Sequence, residues 1–158
     1  MPESIFKQIS LDILRLHQHT IRSLFATQHH NNTEIHDTVY ITLDGRYYVW
    51  LPQTAENSAE TGILLIEDEY SHSRLSWITT ARTVKQKDSL YSRVLNAIER
   101  RMQRTKNSFN RTANACLLEL IPQQGRLTTG SNKDFTLSHS DLVKALYPAT
   151  QQPSELFS

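Results

Sequence analysis

The sequence predicts a mainly β (α+β) fold, a small antiparallel β-barrel with helices packed on its outside. Three observations carry this. Most of the chain divides into short runs of β-branched and aromatic residues with turn signals between them. Helical periodicity appears only near the start, in the middle and near the end. Successive strands joined by tight turns are antiparallel, and closing them into a barrel removes exposed strand edges.

Each element has its own signal. Ser4 is placed as an N-cap, and Ile5, Ile9, Ile13 and Leu16 then form one helical face. Ile21 to Gln28 is the first expected strand, His29-His30-Asn31-Asn32 a polar turn, and Ile35 to Leu43 the second strand. Asp44-Gly45 marks a two-residue hairpin, because a type I′ turn needs positive φ at both central residues. Arg46 to Leu51 is its partner, ended by Pro52. Thr54 to Thr61 reads as one polar helical turn, and Gly62 to Ile66 as a strand buried on both faces. Leu75 to Val84 follows as a strand. Asp88 caps an amphipathic helix with Leu90, Val94, Ile98 and Met102 on one face. Gln103 to Asn114 reads as a loop, Cys116 to Ile121 as a strand, Pro122 to Gly125 as a turn, and Arg126 to Thr129 as a strand. Ser138 or Ser140 caps a last helix through Leu146. The expected organisation is one domain over residues 1–148 and a tail over 149–158.

Bulk properties exclude several classes. A formal charge of +1 in 158 residues gives no bulk attraction to nucleic acid or to a membrane. No apolar run approaches the length of a membrane span. The single cysteine, Cys116, allows no intrachain disulfide and fits a reducing cytoplasm. Four glycines leave no room for a glycine-rich nucleotide loop, and no histidine pair has zinc-helix spacing.

Two segments carry a family resemblance. Ile63-Leu64-Leu65-Ile66-Glu67-Asp68-Glu69, followed by Arg74-Leu75, resembles the strand signature of haem-iron-utilisation (HugZ-type) proteins. So does Leu118 to Arg126 with Gly130 and the Leu137-Ser138-His139-Ser140-Asp141-Leu142 start of the closing helix. Those proteins belong to the pyridoxamine-phosphate-oxidase-like, FMN-binding split barrels. The resemblance implies a Greek-key split barrel, a homodimer, and haem or FMN held in the dimer groove. It implies Arg74, Arg82 and Lys85 as phosphate or propionate contacts, with Trp77 among the cofactor walls. The sequence also departs from the pattern. The stretch before the Ile63 strand is reduced to Pro52 to Gly62, without a cation and with Glu56 and Glu60. The tail lacks the histidine that ligates haem iron in the family, which leaves His139 first and His72 second as substitute ligands.

Other clusters have plain structural explanations. Glu67-Asp68-Glu69 reads as a charged strand end, because at most Glu67 and Glu69 share a face. His17 and His19 read as surface histidines, and Arg100, Arg101, Arg104, Lys106 and Arg111 as a solvated helix end. Two functions remain open: a haem- or flavin-binding split barrel, or a cofactor-free derivative acting as a dimeric interaction module. A two-fold interface is expected on the sheet face bearing some of Tyr47, Val49, Leu51, Ile63 and Leu65.

Overall fold

The computed structural model describes residues 3–29, 32–51, 61–106, 109 and 115–147. The expectations for Pro52 to Glu60, most of the loop to Asn114 and the tail lie outside them. The element order is α1 (Glu3–His19), β1 (Arg22–His29), β2 (Asn32–Leu43), β3 (Arg46–Leu51), β4 (Thr61–Asp68), β5 (Ser73–Thr83), α2 (Ser89–Arg104), β6 (Cys116–Thr128), β7 (Asp134–Ser138) and α3 (His139–Leu146). The strands run β3-β2-β1-β4-β5-β6-β7, all pairs antiparallel. A β3–β6 pairing closes β1 to β6 into a barrel and leaves β7 as an outer extension.

The Asp44-Gly45 hairpin forms as its sequence requires, with φ of 55° and 76°. Alternation then sorts side chains between two cores. Phe25, Tyr47, Val49, Leu64, Trp77 and Leu120 point into the barrel, where Ile9, Ile13 and Leu16 of α1 and Leu142 of α3 join them. Tyr48, Trp50 and Leu117 point out and are covered by Val94, Leu95, Ile98 and Met102 of α2. Asp88 accepts the Leu90 N–H at the start of α2. Ser138 and Asp141 form a reciprocal capping box on α3.

The structure corrects several expectations. Ser4 is not the N-cap of α1, because the helix already includes Glu3. β4 is not buried on both faces: Gly62, Leu64, Ile66 and Asp68 turn inward while Thr61, Ile63 and Glu67 are exposed. The Pro122 to Gly125 turn does not exist. β6 runs through it as one strand, with Gln123 as the extra residue where the β5 register shifts between Ile78 and Thr79. Gly125 serves packing there, since a Cβ on it would meet the Trp77 ring at 2.6–2.8 Å. β7 is a separate strand that the element-by-element reading passed over. His17 is buried, not on the surface.

The buried His17 anchors a polar network between α1 and the barrel. Its Nδ1–H donates to the Ile13 carbonyl at 2.6 Å, which leaves Nε2 to accept from the Tyr47 hydroxyl at 2.7 Å. Burial lowers its pKa to about 4, against the Ile13 hydrogen bond, and Arg101 adds to the depression. The Thr20 hydroxyl donates to the Leu16 carbonyl, so the Tyr40 hydroxyl donates to Thr20. Arg101 is therefore not part of a solvated helix end. It reaches the His17 and Thr20 carbonyls and lies 5.5 Å above the Tyr40 ring.

Candidate functional site: an outer-face groove

Strand alternation places residues 74, 76, 78, 80 and 82 of β5 on the outside of the barrel. Cross-strand pairing extends this outer face in rows. One row runs Ile35, Ala26, Ile63, Ile78 and Gln124. The next runs Asp37, Leu24, Leu65, Ser76, Arg126 and Thr136. Leu24, Ile35, Ile63 and Ile78 are 40, 66, 51 and 52 % exposed, a single apolar stripe across four strands. Isolated exposed apolar residues are ordinary; these four lie side by side on one face.

Beside the stripe lies a groove of about 450 Å³ lined by Leu65, Arg74, Ser76, Arg126, Thr128, Asn132 and Asp134. Arg74 pairs with Thr128 and Ser76 with Arg126, so the two guanidinium-bearing residues are diagonal neighbours on one face. Arg126 donates to Asp134 at 2.8 Å. Asp134 is held below the usual carboxylate range by hydrogen bonds from Thr128 and Arg126. Arg74 has no hydrogen bond or close ion pair among the described residues, although its charge helps to lower the Asp134 pKa, and its side chain borders the groove.

Past Arg74 the groove continues into a depression of about 380 Å³ that takes in Glu67, Glu69, His72 and Gly130. His72 sits here because the β4–β5 turn needs a left-handed residue, and its φ is 59°. Asp68 builds that turn: its buried carboxylate accepts from the Tyr70 N–H at 3.1 Å and the Ser71 hydroxyl at 2.8 Å. Burial alone would raise its pKa, but these bonds and nearby His19 outweigh burial and lower it. Asp68 is thus a turn builder and not merely one of three strand-end charges. Gly130 presses the β6–β7 turn against the Ser71 carbonyl, leaving no room for a Cβ.

The sequence candidates separate in space. Arg74 lines the groove. Arg82 shares its outer face but donates to the buried Glu119, which Arg46 and the Tyr48 hydroxyl also engage. Burial and the Glu119 contact raise the Tyr48 pKa. Lys85 lies beyond the far end of β5, in a different hollow. Trp77 is fully buried inside the barrel and offers no wall to a cofactor. His72 borders the groove; His139 does not. The His139 Nε2–H donates to the Gly45 carbonyl at 2.7 Å, at the barrel end capped by α3. Strand β6 separates the two histidines: Gln124 pairs beside Ser138, whereas Thr129 lies beside the His72 turn. No group of three metal-ligating side chains occurs among the described residues. Arg126 is the groove residue sequence reasoning missed. Its signal was the alternation Gln124, Arg126, Thr128, hidden by the mistaken turn.

No family model matches the chain. No curated protein matches it in sequence. Solved structures do. HutZ, the haem storage protein from Vibrio cholerae, is 17 % identical over 75 % of this chain and 92 % of its own, with a TM-score of 0.62. ChuZ from Campylobacter jejuni is 12 % identical over 89 % of this chain and 62 % of its own, with a TM-score of 0.67. A protein from Clostridium acetobutylicum related to general stress protein 26, of the pyridoxinephosphate oxidase family, is 11 % identical over 86 % and 98 %, with a TM-score of 0.64. At these identities the likeness carries the architecture: the chain has the split β-barrel fold of these proteins, in divergent form.

Proposed function

We propose that the chain is a ligand-binding split barrel that pairs two-fold through its apolar stripe and takes an anionic cofactor, haem or a flavin, into the Arg74–Arg126 groove. The observation that carries this is the Arg74 guanidinium, without a hydrogen bond among the described residues, diagonal to Arg126 and bordering exposed apolar rows. Propionate or phosphate suits such a fork. The apolar stripe suits the hydrophobic body of the ligand and a second copy. Tyr47, Val49 and Leu51, expected at the dimer face, point into the barrel and leave the interface to Ile63, Leu65 and their neighbours.

His72 takes precedence over His139 as the axial donor for haem. Its side chain borders the groove, whereas the His139 Nε2–H is engaged by Gly45. Haem would supply the iron and redox chemistry; the chain would supply a neutral imidazole and paired guanidiniums. The visible spectrum with added haemin or FMN tests the assignment. Haemin is expected to give a Soret band that His72→Ala shifts or abolishes, while His139→Ala leaves it in place. Arg74→Gln should weaken haemin binding about tenfold, the loss of one charge-assisted contact. A dimer with no spectral change for either cofactor would overturn the cofactor assignment and support the interaction-module function. Glu67 and Glu69 in the depression are the residues that favour that alternative.

A further inference from the structure

Lys85 and Lys87 belong to neither the groove nor the stripe. They border a hollow of about 440 Å³ between the end of β5, the start of α2 and the start of β6. It is an open surface hollow and not an enclosed cavity, with room for a small flat ligand laid against its floor. The floor is apolar: Val84 is 4 % and Leu117 1 % exposed, with Ala115 beside them. Tyr91 forms an aromatic wall and is itself braced by Trp50, ring centroids 6.5 Å apart. Trp50 is held in turn by Phe109 at 5.6 Å. The described lining contains two ammonium groups and no carboxylate. The nearest acid in sequence, Asp88, accepts the Leu90 N–H at 3.0 Å and does not line the hollow. Neither lysine has an ion-pair partner among the described residues.

We propose that this hollow is a second binding site, selective for small aromatic monoanions of the aryl-carboxylate class. The ring packs on Val84 and Leu117 against Tyr91, and the carboxylate meets Lys85 and Lys87. Charge complementarity chooses the occupant: an aryl cation would be repelled by both lysines, and a neutral arene would leave the ammonium groups solvated without gain. The site stands apart from the cofactor groove, since Arg74 lies near the start of β5 and Lys85 past its end, about 36 Å along an extended chain.

The test uses 2-naphthoate and its neutral isostere 2-naphthamide, followed by amide chemical shifts of the full-length chain. Naphthoate is expected to give saturable shifts confined to Val84–Tyr91 and Ala115–Leu117, and naphthamide to bind at least tenfold more weakly. The Lys85→Gln/Lys87→Gln double variant, changed only at exposed side chains, should remove that preference and leave naphthamide binding unchanged. Arg74→Gln should change neither, which separates this site from the cofactor groove. Equal binding of the two probes, shifts centred on the outer-face groove, or no saturation at millimolar naphthoate would each overturn the proposal.

Discussion

A buried histidine shows how one residue ties pH to the fold. His17 has a folded pKa of about 4 against 6.5 for the free side chain. A group with a depressed folded pKa binds fewer protons when folded. Its stabilising effect is therefore complete above about pH 6.5 and is lost as pH falls toward 4. The difference corresponds to about 3 kcal/mol. Asp68 and Asp134 also have lowered pKa values, but they begin from 3.8 and weaken the fold only at lower pH. Urea midpoints measured between pH 7 and 4.5 should drop steadily in the parent and stay nearly flat in His17→Gln. A parallel decline in both proteins would show that His17 is not the titrating group. His17 was hard to place from sequence for a physical reason. It lies one residue beyond the Ile9, Ile13, Leu16 stripe, and its burial depends on a Tyr47 hydroxyl thirty residues away. The same limit hid Arg101, whose partners are carbonyls at the end of another helix.

At the scale of elements, local rules worked where the determinant was local. Asp44-Gly45 and the Asp88 cap each depend on a few neighbouring residues and were legible, whereas the last cap was narrowed only to Ser138 or Ser140 and its box with Asp141 was not read. β6 was misread because Pro122 and Gly125 have a second physical use. Proline is tolerated beside a bulge because no ladder donor is needed there, and glycine admits a partner ring to the strand surface. That error split the strand and hid the register that sets Arg126 beside Ser76 and diagonal to Arg74. The packing explanation is testable through Gly125→Ala. A Cβ at this position would sit 2.6 Å from the fully buried Trp77 ring, so the ring would have to shift within the packed barrel core. The substitution should cost about 1–3 kcal/mol, the usual range for overpacking, despite raising the strand propensity of β6. Denaturant unfolding that shows a stability equal to or above the parent would show that the Trp77 contact does not require glycine at this position.

At the scale of the whole molecule, the barrel explains why the candidate residues dispersed. Arg74, Arg82 and Lys85 look like one cationic run in sequence. The barrel assigns the first to an open groove, the second to an ion-pair strap on Glu119 and the third to a separate hollow. Parity along β5 was readable in advance, but what covers each outward position was not, because α2 shields one part of the outer face and leaves another bare. The bare part holds the apolar stripe, and this yields the last prediction. Ile63 and Ile78 are cross-strand partners and each is about half exposed in the single chain. Replacing either with Asp removes no barrel contact of note, so the isolated fold should change by no more than about 0.5 kcal/mol. If two copies meet on this stripe, an Asp at the centre of the contact must be desolvated without a partner, which association cannot sustain. Light scattering at micromolar concentration should show a dimer for the parent and a monomer with unchanged circular dichroism for Ile78→Asp. Leu65 borders both the stripe and the groove, so losing the partner also opens one side of the groove to water. Haemin affinity in the Ile78→Asp monomer should therefore fall at least tenfold. In Arg74→Gln the affinity should fall while the dimer persists. A parent chain that is monomeric under these conditions would sink the interface, and a monomeric variant with full haemin affinity would show that one chain completes the groove alone.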